Sequence, residues 1–187
     1  MKNKHPLPGD LAIWIFILAE LGVFGVLFIT FSIVRLLNPE VFADGHDHLN
    51  RVAGMINTIA LITSSYFVVR ATESVKQNMP VAGTRWLIAS LVAACVYVFV
   101  KIWEYSETIG AGYSLSSNVF YMFYYFLTFF HFAHVILGIV ILSVLTRNCS
   151  QNLYTADDHY GLESGASYWH MVDLAWIVLF PLVYVIH

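Results

Sequence analysis

Residues 119–145 read VFYMFYYFLTFFHFAHVILGIVILSVL, and these positions contain no Asp, Glu, Lys or Arg. About 20 consecutive apolar residues are enough for a helix to cross the hydrocarbon core of a bilayer. An uncharged run of this length predicts a transmembrane helix, and it places the chain among membrane proteins.

The composition of the whole 187-residue chain agrees, with 59% hydrophobic, 16% aromatic and 11% charged residues. Soluble domains carry about a quarter charged residues, so the composition excludes an ordinary soluble domain or a disordered chain. A formal net charge of −3 provides no basic surface for nucleic acid. Cys95 and Cys149 are far apart and form no CxxC pair, so they provide no zinc or redox motif.

Four further apolar runs, separated by charged or turn-forming residues, are long enough to cross a membrane. We therefore predict an all-α polytopic membrane protein with five transmembrane helices, in which residues 1–187 form a single membrane domain. The predicted spans are residues 11–37, 52–69, 86–103, 119–145 and 168–186.

The distribution of Lys and Arg predicts the orientation, because these residues concentrate on the cytoplasmic side. Only Arg35 and Arg51 fall on one side of the predicted topology. The other side carries Lys2, Lys4, Arg70, Lys76, Arg85 and Arg147. We expect a cytoplasmic N-terminus and, after five crossings, a periplasmic C-terminus in the inner membrane of a bacterium.

Ionisable side chains at membrane depth are costly and are therefore candidates for functional residues. Glu20 lies about ten residues into the first span, which at about 1.5 Å per residue places it near the middle of the bilayer. Its carboxyl either handles protons or contacts a ligand, or it forms a buried hydrogen bond that locks two helices together. The second interpretation is favoured, because polar groups commonly join membrane helices.

The second and third predicted spans carry polar residues among small ones. Asn57 shares one face of the second span with small side chains, a pattern typical of helix packing. Lys101 and Glu104 are neighbours on the surface of one helix and can neutralise each other. Alternatively, Lys101 extends its long side chain to the membrane surface.

The last two predicted spans concentrate histidines and acids. His131 and His134 share one face of the fourth span, and Glu163, His170 and Asp173 follow at helical spacing around the start of the fifth. Pairing either of the first two histidines with His170 would allow a metal or haem site, but no span carries the Glu-x-x-His motif of di-metal bundles. A buried hydrogen-bond network between the two spans is the favoured interpretation, and we assign no catalytic, cofactor-binding or metal-binding residue.

Several short motifs occur in order along these spans. They are WxFxxAE at residues 14–20, Glu104-Tyr105, FHxxHVxxG at residues 130–138, HYGLE at residues 159–163 and YWHxVDxxW at residues 168–176. In this order the chain resembles subunit III of the haem-copper oxidases, and the resemblance covers nearly the whole sequence from Leu11 onward. Residues 8–20 are similar to the short subunit III-like protein associated with nitric oxide reductase.

The resemblance implies a subunit III-like bundle and an accessory role beside a catalytic subunit, either oxidase subunit I or the large subunit of nitric oxide reductase. Members of the family carry no redox centre of their own, so haem and copper or iron belong to the partner. They bind structural phospholipid and, in oxidases, sustain proton uptake and protect against turnover inactivation. The long form of the family has seven helices, and this chain lacks the first two.

The resemblance also assigns roles to individual residues. The buried acid of the family maps onto Glu20, and structural, lipid-related or proton-related roles are implied for the histidines and acids of the last two spans. The full set of candidate buried polar residues is Glu20, Asn57, Lys101, Glu104, His131, His134, Glu163, His170 and Asp173.

Two other function classes stay open at this point. One is a stand-alone membrane enzyme that uses a metal or haem at His131, His134 and His170. The other is a small proton-conducting membrane protein, although the sequence shows neither an inverted repeat nor a pair of broken helices facing a midplane site.

Overall fold

The computed structural model describes residues 11–186. Lys2 and Lys4 of the orientation argument, residues 8–10 of the reductase-like stretch and the C-terminal His187 lie outside the described residues. Over the described range the chain forms six α-helices followed by a π-helical turn. These are α1 (Leu11–Leu37), α2 (Pro39–Asp47), α3 (Arg51–Lys76), α4 (Pro80–Gly110), α5 (Val119–Ser150), α6 (Tyr160–Phe180) and the π turn (Pro181–Val185).

Five of these helical segments are long and apolar enough to cross a membrane, which confirms the predicted all-α multi-pass architecture. They are Leu11–Leu37, Arg51–Lys76, Pro80–Gly110, Val119–Ser150 and Tyr160–Val185. Residues 11–37 match the predicted first span, whereas the other four helices begin earlier or end later than predicted.

The helices are longer than the predicted spans of residues 52–69, 86–103, 119–145 and 168–186. At about 1.5 Å per residue, the 31 residues of α4 extend well beyond a hydrocarbon core of about 30 Å. Apolar runs mark only the part of a helix within the hydrocarbon. The helix itself continues into the polar interface, where charged side chains such as Lys76 and Glu163 are tolerated.

The short helix α2 is the one element that the sequence prediction missed. It begins with Pro39 in its first turn and follows Asn38 directly. Pro fits the first helical turn because its missing N–H would have no partner there. A helix of nine residues with a polar composition gives no signal in a search for spans.

The helix ends are fixed locally. Asn50 and Asn118 cap α3 and α5, since their side-chain oxygens accept hydrogen bonds from the N–H groups of Ala53 and Tyr121 at 3.1 and 3.0 Å. Pro181 begins the π turn, in which the Ile186 N–H donates to the Pro181 carbonyl at 2.9 Å.

Small residues allow α3 to α6 to approach closely. The Ser64 and Ser90 hydroxyls lie 2.8 Å apart between α3 and α4, and a Cβ at Gly138 of α5 would come within 2.6 Å of the Trp169 ring of α6. The first helix is more peripheral, because it buries only Ile17, Phe24 and Phe31 along a single face. These contacts place the polar candidates of α3 to α6 inside the bundle.

Candidate functional site: two polar centres within the bundle

The deepest polar centre is formed by Lys101 and Glu104 of α4, Tyr124 of α5 and Tyr184 of the π turn, and we call it the ion-pair cluster. The Lys101 ammonium donates to a Glu104 carboxylate oxygen at 3.1 Å, and both side chains are at most 1% exposed. Tyr124 and Tyr184 donate to the other carboxylate oxygen at 2.7 and 2.6 Å. The cluster therefore ties three elements together around one buried pair of charges.

The hydrogen bonds of the ion-pair cluster are complete. The ammonium has three hydrogens, and these point to Glu104 at 3.1 Å, to the Tyr184 hydroxyl at 2.7 Å and to the Tyr124 hydroxyl at 3.5 Å. A buried ion pair is tolerated when such additional hydrogen bonds satisfy its remaining donors and acceptors. The geometry thus gives the polar atoms of Lys101 and Glu104 partners inside the core.

Aromatic rings enclose the ammonium on its other sides. Its nitrogen lies 4.8 Å from the centre of the Tyr105 ring and 5.7 Å from that of Trp176, within the range of a cation–π attraction. Because Lys101 is fully buried, the alternative that it extends to the membrane surface is wrong. Glu104 instead pairs with Lys101, as the sequence predicted.

The second polar centre joins α1 to α5. A Glu20 carboxyl oxygen lies 3.1 Å from His134 Nε2, and the two side chains are 22% and 12% exposed. The Phe24 ring packs edge-on against the imidazole, and the Tyr168 hydroxyl donates to the His134 carbonyl at 3.2 Å. This Glu20–His134 pair lies near the surface of the bundle and is only partly enclosed.

The hydrogen bonds of His134 show that the Glu20–His134 contact requires a hydrogen between the two groups. Its Nδ1 lies 2.8 Å from the Phe130 carbonyl oxygen, and because a carbonyl only accepts, Nδ1 carries a hydrogen. A carboxylate and an unprotonated Nε2 are both acceptors and cannot bond to each other. At least one hydrogen therefore lies between Nε2 and the Glu20 carboxyl.

The other histidine of α5, His131, is a bridge between helices. Its Nε2 donates to the Val172 carbonyl of α6 at 3.0 Å, and the Tyr97 hydroxyl of α4 lies 3.0 Å from its Nδ1. Since Nε2 carries the hydrogen, a neutral ring accepts the Tyr97 hydrogen at Nδ1. A hydrogen-bond network therefore does hold the fourth and fifth predicted spans together.

The remaining candidates lie along α3 and α6. Glu163 pairs with Lys76 at 2.7 Å, and His170 Nδ1 lies 2.6 Å from the Ser65 hydroxyl. Asp173 and Asn57 are buried, and no described residue forms a hydrogen bond with one carboxylate oxygen of Asp173 or with either amide atom of Asn57.

The nine candidate residues therefore do not form one site. They contact one another only in pairs, or they contact residues that were not candidates. His131, His134 and His170 each bond to a different group, and residues 11–186 include no group of three or more His, Cys, Asp or Glu side chains placed to hold a metal ion. Both ring nitrogens of His131 and of His134 are engaged in hydrogen bonds. These contacts do not form the three-histidine metal or haem site that the sequence left open as an alternative.

Sequence reasoning missed the tyrosines and serines that complete these sites. Tyr124 and Tyr184 lie in apolar aromatic runs, where they resemble membrane-facing rings, and Ser65 resembles a packing residue. One signal could have found them: a buried ion pair needs further donors and acceptors, and hydroxyls on neighbouring spans are the groups that supply them.

Comparison with known proteins extends the resemblance. The family model of cytochrome c oxidase subunit III matches residues 9–187. The cytochrome c oxidase subunit 3 of Synechocystis is 31% identical over 185 residues, which cover 98% of this chain and 78% of that protein.

Two further relatives belong to other kinds of organism and enzyme. The heme-copper oxidase subunit I+III of Aeropyrum pernix is 29% identical over 191 residues, which cover 97% of this chain and 23% of that protein. The probable quinol oxidase subunit 3 of Staphylococcus saprophyticus is 27% identical over 184 residues, which cover 94% of this chain and 88% of that protein.

The five membrane-crossing helices and the match over nearly the whole sequence lead to the same assignment. This chain belongs to the cytochrome c oxidase subunit III family.

Proposed function

We propose that this chain supports the assembly, stability and proton uptake of the catalytic subunit I of a haem-copper oxidase. As a member of the subunit III family it is a non-catalytic accessory subunit of such an oxidase. One observation carries the choice of partner. In the subunit I+III protein of Aeropyrum pernix, the region similar to this chain makes up 23% of a single longer protein, so subunits I and III are joined in that relative.

The two polar centres support different parts of this proposal. The ion-pair cluster gives the bundle a fixed core, because all of its donors and acceptors are engaged and its charges have no access to solvent. The Glu20–His134 pair is partly exposed near the bundle surface, where it is suited to exchange a proton with a neighbouring subunit. Asn57, His131, Glu163, His170 and Asp173 are proposed to join helices or contact water.

We place the chain in the cytoplasmic membrane of a bacterium, with its N-terminus in the cytoplasm. The support is the excess of Lys and Arg on one side of the topology. In the described residues, Arg70, Lys76, Arg85 and Arg147 lie near the helix ends on that side, whereas Arg35 and Arg51 lie near the opposite ends. The bound phospholipid implied by the family stays a prediction.

We propose an oxygen-reducing partner rather than a nitric oxide reductase. The relatives above are named as cytochrome c, quinol or heme-copper oxidase subunits. The reductase alternative rests on the similarity of residues 8–20 and stays a prediction. The haem, and the copper or iron beside it, would lie on the partner in either case.

Co-purification tests this proposal. A tagged chain, extracted from its native membrane in a mild detergent, should carry with it a subunit I that contains haem and copper, and the complex should consume oxygen. A partner that reduces nitric oxide and binds haem with non-haem iron would favour the reductase. A tagged chain that retains stoichiometric haem or metal without any partner would refute the accessory role.

A further inference from the structure

The Glu20–His134 pair leaves one polar atom without a partner among the described residues. His134 Nε2 contacts the Oε2 oxygen of the Glu20 carboxyl at 3.1 Å, and no described residue donates a hydrogen bond to the other oxygen, Oε1. The neighbouring Tyr168 hydroxyl has a single hydrogen, which it donates to the His134 carbonyl at 3.2 Å. The Oε1 oxygen is therefore available to a group that residues 11–186 do not supply.

This free oxygen is an acceptor wherever the hydrogen of the Glu20–His134 contact lies. If the hydrogen is on Nε2, Glu20 is a carboxylate, and Oε1 only accepts. If the hydrogen is on Oε2, Oε1 is the carbonyl oxygen of a carboxylic acid and again only accepts. The missing partner is therefore a hydrogen-bond donor, and this conclusion does not depend on the charge of the pair.

Glu20 lies too deep in the membrane for lipid to supply that donor. At about 1.5 Å per residue, it is about 14 Å from Leu11, where α1 begins, and about 22 Å from Arg35, the next charged residue of the helix. This depth is within the hydrocarbon core, whose lipid chains carry no hydrogen-bond donors. The Glu20 side chain is nevertheless 22% exposed, so it faces the surroundings of the bundle.

The side chains around the pair form an apolar face to which another helix can bind. Val23 of α1 follows Glu20 by three positions, and Leu137 of α5 follows His134 by three positions. Each therefore lies next to the polar residue on the surface of its helix. Both apolar side chains are 46% exposed. A membrane helix packed on this face would cover them and could bring a polar side chain to Oε1, since such hydrogen bonds commonly join membrane helices.

A different chain fits this face better than a second copy of the same chain. In a symmetric dimer the same surface patch meets itself, so a contact centred on Glu20 would place a second acceptor against Oε1. The donor must then come from another protein. Because the chain is an accessory subunit of a haem-copper oxidase, the catalytic subunit is the partner that can provide such a helix.

We propose that a transmembrane helix of the catalytic subunit packs on α1 and α5 over Glu20, Val23, His134 and Leu137, and we call this face the docking surface. A side chain near the middle of that helix donates a hydrogen bond to Glu20 Oε1. The choice of partner rests on the proposed function, and the docking surface adds where on this chain the catalytic subunit binds.

Photo-crosslinking in native membranes that contain the intact complex tests the docking surface. The photoreactive residue p-benzoylphenylalanine replaces Val23, and a second probe replaces Leu137 in case the first variant does not assemble. The matched control is the same replacement at Leu18, which is 65% exposed. Leu18 precedes Glu20 by two positions and therefore lies on the other side of α1 at nearly the same depth. Both probes should crosslink to the catalytic subunit at least tenfold more than the control does.

Three variants test the hydrogen bond through the crosslink yield of the Leu137 probe. Glu20→Gln should keep the yield, because its amide can donate to His134 Nε2 and leave an acceptor oxygen free. Glu20→Leu, which has no acceptor, should lower the yield at least fivefold. His134→Phe breaks the same internal contact but keeps the carboxyl, so it should retain more of the crosslink than Glu20→Leu. Equal losses in these last two variants would show that no donor of the partner bonds Oε1.

The position of the docking surface has its own contradicting results. Crosslinks from Leu18 as strong as those from Val23 and Leu137 would overturn it. So would probes at Val23 and Leu137 that react only with lipid or with a second copy of this chain. These results differ from a failure of the proposed function, in which no catalytic subunit would co-purify with the tagged chain.

Discussion

The ion-pair cluster and the Glu20–His134 pair both contain an acid and a base at membrane depth, but their surroundings differ. Lys101 and Glu104 are at most 1% exposed and share their hydrogen bonds with two tyrosines. Glu20 and His134 are 22% and 12% exposed and meet at a single contact of 3.1 Å. The ion-pair cluster is closed, and hydrogen bonds occupy its polar groups. The Glu20–His134 pair is open to the surroundings of the bundle at the surface of α1 and α5.

This difference indicates which site can interact with the surroundings of the bundle. The ion-pair cluster makes its hydrogen bonds inside the core and has no access to solvent, so it is part of the fold. The Glu20–His134 pair is partly exposed and lies where a partner subunit or water can reach it.

The largest effect is expected for Lys101→Met. The change leaves the Glu104 carboxylate buried without its cation, and breaking a buried ion pair in this way costs about 3–5 kcal/mol. Chemical unfolding of the purified chain or complex in detergent, followed by circular dichroism, measures the loss.

The matched control for this prediction is the double variant Lys101→Met with Glu104→Gln, which removes both charges and keeps a hydrogen-bonding side chain for the tyrosines. It should be more stable than Lys101→Met alone. Equal instability of the single and double variants would show that the charge of Glu104 is not what makes the single change costly.

An intermediate effect is expected for Tyr184→Phe, which removes the hydroxyl that bonds both charges of the ion-pair cluster. Hydrogen bonds to charged groups contribute about 1.5–3 kcal/mol, and the same unfolding experiment should show a loss of that size. Tyr66→Phe serves as the control, because Tyr66 is exposed and forms no hydrogen bond with the described residues. A loss no larger than that of the control would mean that the π turn does not contribute to the cluster.

The smallest effect on stability is expected for Glu20→Gln. The Gln amide can donate to His134 Nε2, so the contact persists and the free energy of unfolding should change by less than about 1 kcal/mol. The carboxyl that could carry a proton is lost, however. In the assembled oxidase we expect a normal initial rate of oxygen consumption that decays sooner during sustained turnover.

Assembly must be measured in the same Glu20→Gln preparation, as the amount of chain that co-purifies with the partner. Reduced assembly together with reduced turnover would indicate a packing role for Glu20. Unchanged assembly and unchanged sustained turnover would show that the Glu20–His134 pair exchanges no proton that the enzyme needs.

The sequence predicted those features that depend on neighbouring residues. The five crossings follow from apolar runs, and the Lys101–Glu104 pair follows from a spacing of three residues within one helix. The prediction missed the ends of α3, α4, α5 and α6 and the whole of α2. Hydropathy detects only the part of a helix that lies inside the hydrocarbon core, and not the full length of the helix. Polar helix ends at the interface carry no such signal.

The contacts between helices could not be predicted, because a single sequence gives neither the rotation nor the relative depth of its spans. Glu20 and His134 are 114 residues apart, and Tyr184 is 83 residues from Lys101. Both sites depend on how α1 and the π turn pack against α4 and α5. Glu20 was correctly expected to bond across a helix interface, but its partner could have been any polar group at that depth.

We infer that this chain supports a haem-copper oxidase without holding a redox centre itself. The most direct test is to dissociate the chain from the purified complex and to measure haem, copper and iron in both fractions. We predict that all of the haem and metal stays with the partner and that the partner's visible spectrum is unchanged. Haem or metal that leaves in stoichiometric amount with this chain would contradict the claim.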